Sequence, residues 1–228
     1  MRPARQALTG AVLLGALVAP GIAHATPQAY EYRVLHPTYG DIGSYRNLVD
    51  RVGDDTEVRS ELRIAVTFFG ITVFRQEASR TEHWHQDRLV LFDGVTVTNG
   101  TRLALHGEAR DGGFAITTPS GTVLAPASIH PSNPWSAMVL KSDVMMSTRS
   151  GKVIKVACSG GEVESIMLAG VERRLHQYEI VGDKHDLVWL DDEGVTIAFR
   201  TQQNGTAVDF VLDPRPAVAT ARISHDDR

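Results

Sequence analysis

The sequence is short of several features that would define a function. It contains a single cysteine, Cys158, so no disulfide can form within the chain. A buried, unreactive thiol is the expected state of that residue, because no cation lies close to it in the sequence. Acidic side chains outnumber basic ones, 27 to 23. This balance argues against nucleic acid or an anionic membrane surface as the main partner, because both require a basic surface on the protein.

The first 25 residues have the pattern of a removable export signal. Arg2 and Arg5 precede an apolar stretch over residues 11–18, and the small-residue pattern Ala23-His24-Ala25 follows. We therefore predict cleavage after Ala25 and a periplasmic location in a Gram-negative cell. The apolar stretch is too short to span a bilayer, and no other long uncharged apolar run follows it. The prediction is a protein without a transmembrane span after signal cleavage.

Alternation of apolar and polar residues continues along most of the remaining chain. The clearest case is the run from Val58 to Phe68, where apolar and charged side chains take turns. A period of two is typical of strands with one buried and one solvated face. Glycine and asparagine turn signals interrupt the pattern every ten residues or so. We predict an all-β fold over residues 26–212, a strongly curved antiparallel sheet or incomplete barrel, and a flexible tail over residues 213–228. The predicted strands cover residues 30–35, 42–51, 56–68, 72–84, 89–98, 101–110, 152–157, 162–168, 171–181, 187–190, 195–200 and 206–212.

Residues 119–150 depart from this pattern. Asn133-Pro134 resembles a helix N-cap followed by proline at the first helical position. Trp135, Met138 and Val139 then share one face of a short helix. This helix either plugs the open end of the curved sheet or forms a movable lid over a cavity.

The two longest predicted strands form a hairpin through residues 69–71. A two-residue loop would place charged side chains opposite the apolar stripe. A three-residue loop instead pairs Leu62 with Ala78 on the inner face and Arg63 with Glu77 on the outer face. We therefore predict the second register.

This register turns polar side chains toward the inner face. Arg80 and Glu82 point inward, where an unpaired charge would cost several kcal/mol. They are either solvated at an open rim or form a recognition cluster at the mouth of a cavity. In the second case Arg80 binds an anionic or carbonyl head group, and Trp84 packs beside it. The candidate ligand-binding residues are Phe74, Gln76, Arg80, Glu82, Trp84 and Trp135.

The sequence indicates no catalytic centre. His83 and His85 share the outer face of one strand and are weak metal candidates, but no third ligand stands at a suitable spacing. No nucleophile elbow, zinc-protease motif, dinucleotide-binding turn or P-loop occurs. We therefore predict no cofactor.

Several short segments along the chain form a pattern through their order and spacing. They are Tyr32-Arg33-Val34, Gly40-Asp41-Ile42-Gly43, Glu82-His83-Trp84, Arg88-Leu89, Thr98-Asn99-Gly100, Trp135, Ser150-Gly151-Lys152, Tyr178, Gly182-Asp183, Leu187-Val188-Trp189-Leu190-Asp191 and Gly194. Together these segments resemble a family of exported Gram-negative proteins known as a domain of unknown function. The resemblance implies the curved half-barrel of periplasmic lipoprotein carriers, with a concave apolar face and a helical cover, and it brings no catalytic residues. Asp87 departs from the family pattern, which usually has glycine after the tryptophan.

Three functions remain open at this point. The first is non-catalytic binding of a lipid-like, apolar or amphipathic ligand on the concave face. The second is an envelope module that contacts another protein and has a filled core. The third is a metal-dependent enzyme that uses His83 and His85.

Overall fold

The structure, a computed structural model, describes residues 26–203 and 205–213. The predicted signal and nearly all of the predicted tail lie outside these residues. The described part contains sixteen β-strands and one short 3-10 helix. No helix in this part combines the length and apolar character needed to cross a membrane. The strands are β1 Gln28–His36, β2 Gly40–Val52, β3 Asp55–Phe68, β4 Ile71–His85, β5 Arg88–Thr98, β6 Thr101–Arg110, β7 Gly113–Thr118, β8 Gly121–Pro126, β9 His130–Pro131, β10 Val144–Met146, β11 Val153–Lys155, β12 Ala157–Leu168, β13 Val171–Val181, β14 His185–Leu190, β15 Thr196–Gln203 and β16 Thr206–Leu212.

Thirteen strands form one curved antiparallel sheet, which confirms the predicted fold class. The strand order is β12-β13-β14-β15-β16-β1-β2-β3-β4-β5-β6-β7-β8. The first and last strands of this order do not pair with each other in the described part, so the sheet is not closed into a barrel. Each strand pairs with its sequence neighbour except at one seam, where β1 pairs with β16.

The segment between β8 and β12 crosses the concave side of the sheet. We call residues 127–156 the covering segment. It contains a small three-stranded sheet, in the order β11-β10-β9, and the 3-10 helix Ala137–Lys141. Apolar side chains of the cover, including Ile129, Val144 and Met146, join the core cluster formed by the concave faces of neighbouring strands.

The helix begins later than predicted. Its N-cap is Ser136, whose side chain accepts a hydrogen bond from the Met138 amide, and Asn133 does not cap it. The reason is that the Asn133 side chain bonds to the sheet. Val139 is buried and Met138 is half-buried, so the apolar stripe does face the core.

Four strands were missed in the sequence. β7, β8, β9 and β10 lie at or inside the proline-bearing stretch, where the alternation is too short to stand out. The predicted strand over residues 152–157 is two elements, β11 and the start of β12.

The β3–β4 register is confirmed, although its turn differs. Leu62 pairs with Ala78 and Arg63 pairs with Glu77. The connection is a two-residue turn, and a bulge at Val73 on β4 restores the predicted register. The predicted three-residue loop was therefore wrong in form, because the extra residue lies in the strand.

Candidate functional site

A cavity of about 380 Å³ lies between the sheet and the covering segment. Its wall contains side chains from β2, β3 and β4 on one side and from β14, β15 and β16 on the other. The volume lies within the range of small-molecule sites, near the lower end. The apolar part of the lining includes Leu62, Val139, Met145, Ile180, Val188, Phe199 and Phe210.

The charged lining of the cavity is mostly cationic, although the whole chain is acidic. Five basic side chains reach it, against two acidic ones, Asp183 and Asp186. Lys152 forms an ion pair with Asp183, and Arg200 forms one with Asp209, which leaves Arg80, Arg149 and Lys184 as the cations without an acidic partner in these pairs. Burial raises the pKa of Asp186 above its usual value. This balance favours an anionic group among small molecules. The basic residues are Arg80, Arg149, Lys152, Lys184 and Arg200.

Arg80 is the basic residue in the inner wall formed by β4. Its Nε is buried and makes no hydrogen bond to any described residue. Burial lowers the pKa of the guanidinium, while the negative charge of Glu82 opposes that change. A buried donor without a partner is costly. Arg80 is therefore the group in the wall best suited to hold an anionic oxygen.

Next to the cavity, a buried hydrogen-bond network joins the covering segment to the sheet. The Glu82 side chain is fully buried and accepts three hydrogen bonds. Trp84 Nε1 donates at 3.0 Å, Trp135 Nε1 at 2.9 Å and Asn133 Nδ2 at 3.0 Å. We call Glu82 and these three donors the latch. Trp84 comes from β4, whereas Asn133 and Trp135 come from the cover, so the carboxylate joins the two layers.

The latch extends into β2 and β3. Asn133 Nδ2 also donates to Ser60 Oγ at 3.1 Å, and Ser60 Oγ donates to Asn47 at 2.7 Å. The hydroxyl of Tyr45 donates to Asn133 Oδ1. Burial raises the pKa of Tyr45 to about 12, so the phenol remains a donor over the physiological range.

The charge state of Glu82 follows from its partners. Burial raises the pKa of this carboxyl, while the hydrogen bonds from Asn133, Trp84 and Trp135 and the charge of Arg80 oppose the rise. These three bonds bring donors to both carboxylate oxygens. A protonated acid would need an acceptor for its own hydrogen, so the geometry fits the carboxylate.

His130 lies beside the latch, with its ring centre 5.1 Å from the Trp84 ring. Its Nδ1 is 3.0 Å from the Ser128 carbonyl and must donate, because a carbonyl can only accept. Its Nε2 is buried without a hydrogen-bond partner among the described residues. Burial lowers the pKa of this imidazole below 6.5.

We expect this histidine to make the fold sensitive to acid. The unfolded chain takes up a proton near pH 6.5, whereas the folded chain does so only at lower pH, so stability falls as pH decreases through that interval. Urea unfolding at pH 7.5 and 5.0 should show a smaller loss for His130→Gln than for the unchanged protein. Equal losses in the two proteins would contradict the assignment.

The structure divides the candidate ligand-binding residues into three groups. Gln76 and Arg80 line the cavity. Glu82, Trp84 and Trp135 belong to the latch. Glu82 and Trp84 were predicted near the mouth of a cavity, but the structure buries both of them under the cover. Phe74 packs against the apolar cluster of β1 to β4 and does not line the cavity.

Of the two cover residues in the latch, Trp135 was among the candidates from the sequence and Asn133 was not. The role of Asn133 was missed because its partner Glu82 is 51 residues away. Tyr45 and Asn47 were also missed, although two inward polar positions on β2 were an available signal. The solvated-rim alternative for Glu82 was wrong, because the carboxylate is fully buried.

The two histidines of β4 pair separately with acidic residues of β3. His83 is 3.6 Å from Glu57 and His85 is 2.8 Å from Asp55. Within residues 26–203 and 205–213, no group of three or more histidine, cysteine, aspartate or glutamate side chains is placed to hold a metal ion. Cys158 is partly buried, its Sγ lies 3.7 Å from the Ser142 carbonyl oxygen, and burial raises the pKa of its thiol.

Comparison with known proteins defines the fold and the family. A β-barrel-like protein from Brucella abortus, titled as a domain of unknown function, DUF1849, matches with a TM-score of 0.61 and 8% identity. The match covers 82% of this chain and 95% of that chain, and at this identity it shows the fold alone. Among curated proteins, none matches the sequence. The family model described as "Domain of unknown function (DUF6134)" matches residues 32–213, most of the chain, and the protein therefore belongs to this family.

Proposed function

We propose that the protein is an exported periplasmic protein that binds an amphipathic, anionic small molecule in the cavity without catalysing a reaction. The observation that carries this proposal is the combination of a largely apolar cavity of about 380 Å³ with Arg80 in its wall, whose buried Nε has no hydrogen-bond partner. An apolar chain would occupy the aliphatic part of the lining. Arg80 would hold the anionic head group.

The energetics of such binding require no motif. Each methylene moved from water into an apolar cavity contributes about 0.8 kcal/mol. A charge-assisted hydrogen bond adds about 1.5 to 3 kcal/mol. Binding is therefore set by the apolar lining and one cation, which agrees with a sequence that lacks catalytic signatures.

The alternative is an envelope module that contacts another protein through a surface and has a filled core. The cavity favours the first proposal, because a sheet whose interior is fully packed leaves no space of this size. Specific protein adducts after crosslinking in cells, without ligand uptake, would favour the alternative.

Binding of oleate to residues 26–228, measured by isothermal titration calorimetry, tests the proposal. We expect Arg80→Leu to lower the affinity by about 10- to 100-fold, because one charge-assisted hydrogen bond is lost. Arg75→Leu is the matched control, since Arg75 lies on the same strand but on the exposed outer face. Oleyl alcohol, which has the same chain without the charge, should not distinguish Arg80→Leu from the unchanged protein.

Two outcomes would count against this function. If the unchanged protein binds neither oleate nor oleyl alcohol, the cavity has no role in binding amphiphiles. If Arg80→Leu remains folded by circular dichroism and binds oleate as tightly as the unchanged protein, Arg80 is not the anchor.

A further inference from the structure

The hairpin between β3 and β4 extends beyond both neighbouring strands. Pairing of β2 with β3 ends at Ile64, and pairing of β5 with β4 ends at Gln76. β3 and β4 continue to pair up to Phe68 and Ile71. We call residues 65–75 the projecting hairpin. The base of this hairpin still packs on the core, because Val66 is buried in the same cluster as Leu62 and Ile64. Beyond Val66, two further residues of β3 carry the ribbon about 7 Å out of the sheet before the turn.

The end of this hairpin is apolar and exposed. Phe68 is 55% exposed, Phe69 is 90% exposed and Ile71 is 69% exposed. The two phenylalanine rings contact each other, with their centres 4.4 Å apart. Residues 67–74 contain no charged side chain. The side chains at this end of the ribbon therefore gain little from the core of the protein.

Phe69 also occupies an unfavourable backbone conformation. Its φ is +48°, and Gly70 follows with φ +78°. Such a two-residue turn favours asparagine or glycine at its first position, and a bulky side chain there is strained. Folding therefore does not explain a phenylalanine at this position, because its backbone is strained and its ring is exposed to water. A function outside the fold explains it better.

The polar groups behind the tip fit the surface of a bilayer. The first charged residues on the two strands are Arg63 and Arg75, and each pairs with a glutamate two residues away in its own strand. Interfacial segments such as amphipathic helices bury their apolar side chains about 5 to 10 Å into the boundary between head groups and acyl chains. An apolar tip of this length would reach the acyl chains, and the ion pairs of Arg63 and Arg75 behind it would lie among zwitterionic head groups. A partner protein would need a groove deep enough to enclose a tip whose side chains are exposed on both faces.

A third exposed aromatic residue lies at the same end of the sheet. Tyr39, in the turn between β1 and β2, is 46% exposed. Since β2 lies between β1 and β3, this turn is next to the projecting hairpin. Tyrosine is enriched at membrane interfaces because its ring is apolar and its hydroxyl is polar.

We propose that the projecting hairpin inserts Phe68, Phe69 and Ile71 into the interface of a lipid bilayer and thereby docks the protein on a membrane surface. The inference goes beyond ligand binding and does not depend on it. Because the tip is uncharged, binding should change little with salt concentration.

Flotation of residues 26–228 with phosphatidylcholine vesicles tests the docking. We expect the unchanged protein to float, and the double variant Phe69→Ser, Ile71→Ser to lose at least about tenfold in partition, because two apolar side chains no longer leave water. The matched control is Val163→Ser, Met167→Ser on the edge strand β12, where exposure is 46% and 67%. This control should float like the unchanged protein.

Two further measurements identify the partner. Phe69→Trp places an emitter at the tip, and its fluorescence should shift to shorter wavelength and be quenched by brominated lipid. A photoreactive amino acid in place of Phe69 should crosslink to lipid in cells. A protein adduct at this position, an unchanged protein that does not float, or a double variant that floats normally would each overturn the proposal.

The two proposals fail separately. The double variant should bind oleate with unchanged affinity, because none of its substituted residues lines the cavity. If the unchanged protein floats with vesicles but binds no oleate, membrane docking stands and the ligand proposal is lost.

Discussion

Replacing Glu82 with alanine is expected to lower the free energy of unfolding by about 3 to 5 kcal/mol. The substitution removes the acceptor of Trp84, Trp135 and Asn133 and leaves these donors buried. It also removes the opposite charge nearest to Arg80 in the wall. Urea unfolding followed by tryptophan fluorescence and circular dichroism measures the effect.

Glu77→Ala is the control for this experiment. Glu77 lies on the same strand but on the outer face, where it pairs with Arg75 at 2.6 Å and is solvated. An exposed ion pair contributes about 0 to 1 kcal/mol, so the loss should be small. Equal losses in the two variants would show that the latch does not hold the layers together. Because the latch joins cover and sheet, Glu82→Ala should also increase hydrogen exchange of the covering segment.

Replacing Gly43 with alanine is the second change with a large expected effect. A Cβ at this position would lie 1.9 Å from the carbonyl oxygen of Arg63 on the adjacent strand. The backbone cannot move away without breaking the β2–β3 ladder, in which Gly43 pairs with Ile64. We expect a loss of about 3 kcal/mol or more in the free energy of unfolding, again measured in urea.

Gly40→Ala provides the comparison within the same Gly-x-Ile-Gly sequence. Gly40 has φ +69°, and a Cβ there would meet nothing within 4 Å. Its replacement should therefore cost only the backbone strain, about 1 kcal/mol. A similar loss for both variants would contradict the close approach at Gly43. This difference gives a physical reason for the second glycine of the motif.

The sheet was predictable from the sequence because its long strands carry a strict period. In β3, buried Val58, Leu62 and Ile64 alternate with exposed arginine and glutamate, and this fixed both the face and the register. The inward direction of Arg80 and Glu82 followed from that register. These predictions needed only local information and one hairpin.

The site was predictable only in part because its geometry depends on distant residues. Asn133 precedes a proline and resembles a helix cap, but its amide bonds to Glu82 of another layer. The local sequence predicts a helix cap at Asn133, but a hydrogen bond to a residue 51 positions away determines its role. The cavity itself has no sequence signature, since the aliphatic residues that line empty space are the same types that pack a core.

The seam between β1 and β16 joins strands that are about 180 residues apart in the chain. Every other pair of neighbouring strands in the large sheet is also consecutive in the chain. The covering segment connects β8 and β12, the two edges of the sheet. The halves β1 to β8 and β12 to β16 can therefore each form by successive hairpins. The two halves can pair only after β16, the last strand of the chain, has formed. Such a non-local closure slows folding, and the edges of β1 and β16 stay unpaired and prone to intermolecular pairing until it is complete.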